Sequence, residues 1–201
     1  MDTGHRIYYG NYNTEIDFTT DAYNNYSIAY NIDPTSIIPS AGTYDVIQLQ
    51  DFKIENGSYL TEEAIEIIRA MMWFGYGGPG FDPSLFPTTW TDESPCTDEH
   101  YYVSTMIMVA YAVTQSTSTV YYASGLPFIN WCALNVLGLD GFGREKETNV
   151  TYKKICERIN EVPKDYQVYM LKTGSWGYIG WIIGQDYYDP SPAAVSSLKW
   201  F

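Results

Sequence analysis

The hydrophobic period of this chain changes twice, and that order limits the folds open to it. Residues 1–50 carry short runs of β-branched and aromatic side chains at 6–9, 15–19, 26–30 and 44–49, separated by Gly, Asn, Asp and Pro. Runs of that kind between turn formers read as strands. From about residue 58 the apolar residues recur at three- and four-residue spacing, which is the period of a helix. Thr61 is placed to cap such a helix, with Glu62 and Glu63 in its first turn and Leu60 and Ile65 as a hydrophobic staple. Ile65, Ile68, Met71 and Met72 make its apolar stripe, and Gly75-Tyr76-Gly77-Gly78-Pro79-Gly80 stops it. Further helices are expected over 98–113, over 128–137, which is apolar nearly all round, and over 149–160 before Pro163. Strand character returns at 167–171 and 178–183.

Strands, then helices, then strands predict an α+β fold. The expectation is an antiparallel sheet or barrel-like scaffold built from the N- and C-terminal strands, with a helical subdomain inserted between them. All 201 residues form one module on this reading, with strands at about 1–50 and 164–190 and the helical insertion at about 58–162. Such a fold brings residues near 31 and near 180 together. Pro190-Ser191-Pro192 reads as the start of an exit toward a following domain.

Charge excludes several functions. With 24 acidic against 11 basic residues the net charge is -13, which repels nucleic acid and anionic membrane surfaces. No run of about 18 apolar residues is present to span a bilayer. Three cysteines, Cys96, Cys132 and Cys156, cannot all pair and form no C-x-x-C, so neither a disulfide framework nor a metal site is expected. The glycine run lacks the lysine and spacing of a phosphate loop and follows a helix, so it reads as a tight turn. Asp92, Glu93, Cys96, Asp98, Glu99 and His100 cluster without a common ligand spacing, and acids entering a helix already complement its dipole. The two histidines, His5 and His100, and the absence of a G-x-S-x-G elbow give hydrolase chemistry no support. No enzyme activity and no cofactor are expected. A carbohydrate-active enzyme using a pair of the many acids, or a glycan-binding module, is the remaining alternative.

Four stretches, "IYYGNYNTEIDF", "YSIAYNIDPTSIIPSAGTY", "EIIRAMMWFGYGGPGF" and "EHYYVSTMIMVAYAV", resemble the thioester domains of Gram-positive surface adhesins. The helix running into the glycine turn is the most specific piece, followed by the Tyr-x-x-x-Pro element at Tyr30 and Pro34. The resemblance implies a module at the tip of a cell-wall-anchored adhesin or pilus, extracellular, belonging to a larger multidomain surface protein. Its implied partner is a host surface or extracellular-matrix protein or glycan. Members of that family join a Cys side chain to a Gln near the domain's end, and a host amine attacks the resulting thioester. A thioester is an activated acyl group kept from water until an amine is placed beside it.

The residues that should carry this chemistry differ here. Asn31 stands where the resemblance implies the Cys after Tyr30. Thr105-Met106 stands where it implies Thr-Gln, so Met106 replaces a polar side chain. The Gln position falls on Ile179, after Tyr178, or on Gln185, followed by Asp186-Tyr187-Tyr188. Both alignments remain open on sequence alone. The expected function is that of an adhesin domain which has lost its thioester and acts by non-covalent binding or as a structural module. Tyr30, Tyr178 and Trp181, with Asn31 and Met106, are expected to line the ligand cleft. The alternative is a different internal crosslink, either an isopeptide from Asn31 to a lysine such as Lys53 or Lys172, or a thioester moved to Cys132 or Cys156.

Overall fold

The computed structural model describes residues 5–9, 12–16, 29–31, 42–53, 59–90, 93–113, 127–140, 142–173, 177–184 and 197–200. Strands β1 (His5–Tyr9) and β2 (Tyr12–Ile16) pair antiparallel as a separate ribbon, with Tyr9 opposite Tyr12. The second strand thus lies three residues earlier than the run at 15–19 suggested.

The main sheet has five strands: β3 (Ala29–Asn31), β4 (Gly42–Gln48), β5 (Val168–Thr173), β6 (Gly177–Gly184) and β7 (Ser197–Trp200), in the spatial order β3-β6-β5-β4-β7. Every neighbouring pair is antiparallel. Asp45 is the Cα partner of Lys172, so the two ends of the chain share a ladder and the helices fall between them. The sheet is open, with β3 and β7 as its edges among the described strands, and a barrel closure is not seen. β7 was not foreseen. Residues 190–192 suggested departure from the domain, yet Ser197–Trp200 pairs with the far side of β4.

Helix α1 (Glu62–Phe74) begins as its sequence dictates. The Thr61 hydroxyl accepts from the Ala64 N–H at 3.1 Å, satisfying one of the free donors of the first turn. Ile68, Met71 and Met72 are buried against the sheet and its neighbours. Helix α2 (Asp98–Val113) is buried without a break from Tyr102 to Ala110, which makes it the central element of the core.

Helix α3 (Pro127–Cys132) continues into a π-turn at Ala133–Leu137, ended by Gly138 at φ +74°. A side chain at Gly138 would also place its β-carbon 2.2 Å from the Glu147 carbonyl oxygen, so glycine is required twice over. The last helix, α4 (Thr151–Glu157), is shorter than the run at 149–160 predicts. The backbone leaves the helix at Arg158 and makes a separate 3-10 turn, Ile159–Glu161, before Pro163.

Candidate functional site

The sheet register brings the two distant halves of the expected site together. In the β3–β6 ladder Asn31 is the Cα partner of Trp181 and Tyr30 of Ile182. Ile179 lies two positions from Trp181, in a stretch where the β5–β6 register shifts. Gly184, the last described residue before Gln185, lies three positions the other way, about 10 Å along the strand. Ile179 and Gln185 both remain candidates for the residue facing position 31. Gln185 itself is outside the described residues.

Tyr30 serves the core instead of lining an open cleft, because its side chain is 1% exposed. Its ring stacks on Tyr102, with centroids 4.9 Å apart and planes at 22°, and its hydroxyl donates to the Tyr76 carbonyl oxygen. Met106, at 5% exposed, is likewise a core residue. A cavity of 10 Å³ remains between Tyr30, Met72, Tyr76, Tyr166 and Gly184, which is room for about one water molecule. A β-carbon on Gly184 would sit 2.2 Å from the Tyr166 hydroxyl, so glycine is what lets the end of β6 close on the core. The positions of Asn31, Tyr178, Ile179 and Trp181 are fixed by the ladder alone.

Thr105 is the residue that welds helix to turn. Its hydroxyl accepts from the Tyr76 N–H and donates to the Tyr101 carbonyl, both at 2.9 Å, in a fully buried position. Gly75 must lack a side chain for this contact, since a β-carbon there would lie 2.3 Å from both Thr105 Cγ2 and the Met71 oxygen. Tyr76 is held as a neutral donor. Burial, then the negative charge of Asp98 and a hydrogen bond to it, push its phenol up to about 12. The glycine run is thus a structural turn, locked to α2 from one side and to Tyr30 from the other.

None of the three cysteines stands at position 31. All are free thiols, and burial raises the ionisation of each. Cys132 is fully buried, and Cys156 is pushed up to about 11 by burial, partly offset by a hydrogen bond with Tyr152. A thiolate is the reactive form, so burial works against reaction at each of them. The acidic cluster at 92–100 is explained by capping on the described side: the His100 Nδ1 accepts from the Thr97 N–H at 2.9 Å as α2 begins.

The family model for the thioester domain matches residues 1–128, more than half of the chain. The chain belongs to the thioester domain family. No curated protein and no solved structure matches it. Thioester domains are extracellular modules of surface adhesins, and among the described residues no helix is long and apolar enough to cross a membrane. The matched region contains β3, the glycine turn and α2, which are the elements that frame position 31. It ends before β6, which carries the other half of the site.

Proposed function

We propose that this thioester domain forms no thioester and works by non-covalent attachment within a cell-wall-anchored surface protein of a Gram-positive bacterium. The observation that carries the reading is the pairing of Asn31 with Trp181 on β6, which sets an amide where the resemblance implies the cysteine. An amide at position 31 offers no thiol, and a thioester requires one. The scaffold around position 31 is well formed, since Tyr30, Thr105 and the glycine turn interlock.

Lys172 stands opposite Tyr178 on β5, one strand beyond β6, and an isopeptide from Asn31 to it is the competing crosslink that the mass test below detects. Lys53 is exposed, over the Tyr59 ring at 4.9 Å, whereas the reaction calls for a buried lysine. The domain is read as a binder or spacer and not as an enzyme, with a host protein or glycan as its partner.

The test is the intact mass of the freshly purified chain, before and after incubation with methylamine. The expected mass is that of the sequence, unchanged by amine. A deficit of one ammonia that methylamine fills with its own mass would mean that a thioester exists, and a deficit that amine leaves untouched would mean an isopeptide. Either deficit overturns the reading.

A further inference from the structure

A second cleft lies away from β3 and β6, between the segment after the 3-10 turn Pro83–Leu85, the π-turn that follows α3, and the start of α4. It encloses 460 Å³, within the range of small-ligand sites, and shares no lining residue with the cavity beside Tyr30. Phe86 and Leu134 give it an apolar wall. Leu134 is 37% exposed although Ala133, Val136 and Leu137 beside it are buried, because the π-turn departs from the helical period there.

Several polar groups of the cleft keep hydrogen-bonding or charge capacity unused by the described residues. Lys146 and Lys154 make no ion pair with a described residue, whereas the adjacent Lys153 is held by Glu145. With Glu147 as the only acid in the lining, the cleft is locally positive in a chain of net charge -13. The Asn135 amide nitrogen donates to the Trp131 carbonyl at 3.0 Å, which leaves its side-chain oxygen as an acceptor. Thr151 is 1% exposed, and its hydroxyl is the one buried side-chain oxygen or nitrogen among the described residues with no hydrogen-bond partner. Leaving such a group unpaired is costly, and sites that retain the cost are candidates for ligand contacts.

We propose that this cleft binds a carboxylated sugar residue. Its carboxylate matches the two lysines, its hydroxyls supply donors for Asn135 and Glu147 and a partner for Thr151, and its C–H face matches Leu134 and Phe86. A bare inorganic anion would use only the lysines, and a neutral sugar would leave them idle. The inference gives a ligand class to the non-covalent attachment proposed above and rests on that reading for its biological role only. Binding at this cleft is independent of whether position 31 is crosslinked, so the two tests fail separately.

The experiment is a calorimetric titration of the full chain with glucuronate, galacturonate and N-acetylneuraminate, with glucose and sulfate as comparison ligands. At least one acidic sugar is expected to bind saturably, and about tenfold more tightly than glucose or sulfate. Lys146→Gln and Lys154→Gln should each weaken that binding several-fold. Thr151→Val should weaken it while leaving the melting temperature unchanged or higher, which separates loss of a ligand contact from loss of fold. The proposal is overturned if none of the acidic sugars binds saturably, or if sulfate or glucose binds equally well. It is also overturned if all three variants bind as the parent does.

Discussion

At the scale of single residues, the retained part of the site is a contact between two side-chain positions that tolerates no added atom. Gly75 and Thr105 meet so closely that a β-carbon on Gly75 would strike Thr105 Cγ2 and the Met71 carbonyl, each at 2.3 Å. Thr105 is fully buried, and the Met71 oxygen already accepts from the Gly75 N–H at 2.9 Å, so neither can retreat cheaply. Gly75→Ala is therefore expected to cost roughly 1–3 kcal/mol, the usual penalty of overpacking. Thr105→Val keeps the shape but removes the acceptor of the Tyr76 N–H, for a similar loss of about 1–3 kcal/mol. Urea denaturation measures both. In Gly75→Ala, adding Thr105→Ser should recover only part of the loss, because it removes the methyl clash and leaves the carbonyl one. A silent Gly75→Ala would mean that the turn does not pack on α2 as described. The sequence displays the glycine but not its reason, since the partner is thirty residues away on another helix.

At the scale of elements, one arginine ties the helical block to the segment that leads into β5. Arg69 on α1 donates from Nε to the Tyr166 carbonyl at 3.0 Å and from Nη2 to the Pro163 carbonyl at 2.6 Å, just ahead of β5. It also pairs with Glu66 at 2.7 Å, but Glu66 is half exposed, and such pairs contribute at most about 1 kcal/mol. The carbonyl bonds are the larger effect. Arg69→Met, which keeps the apolar stem, should lose about 2 kcal/mol, whereas Glu66→Gln should change stability by less than about 0.5 kcal/mol. Equal losses in the two variants, read from denaturation midpoints, would assign the fastening to the ion pair instead. Local signals found most of these elements: Thr61 caps α1 and Asp98 opens α2, each at the residue the sequence indicates. The break at Arg158 was hidden because its cause is tertiary. The guanidinium reaches Asp82 at 2.9 Å, pairs with Glu161 at 2.8 Å and covers the Phe74 ring at 4.2 Å. The π-turn was hidden for another reason, since a five-residue departure leaves the apolar pattern of 128–137 readable as ordinary helix.

At the scale of the whole molecule, the meeting of residues 31 and 181 was legible because strands at both ends of a domain have few other partners than one another. The seventh strand was not, since four residues after a proline pair carry too little pattern, and neither was the sugar cleft, which is assembled from three segments without a motif in any of them. Net charge, by contrast, is a property the sequence states outright, and it has a consequence for stability. An excess of thirteen negative charges repels itself more in the compact state than in the expanded one. Most ion pairs among described residues, such as Arg144–Asp140 and Arg158–Glu161, have an exposed partner and offset little of that repulsion. Salt weakens both effects, and the general repulsion is the larger. Raising sodium chloride from 10 to 150 mM shortens the screening length from about 30 to about 8 Å. A gain of about 1 kcal/mol would raise the melting temperature by roughly 2–4 °C for a domain of this size. Chloride is the right salt for the experiment, because sulfate also strengthens apolar burial and would raise the melting temperature for a different reason. A melting temperature that falls with chloride would mean that the paired arginines outweigh the surplus of acids, and that the charges of this domain are arranged for its own cohesion.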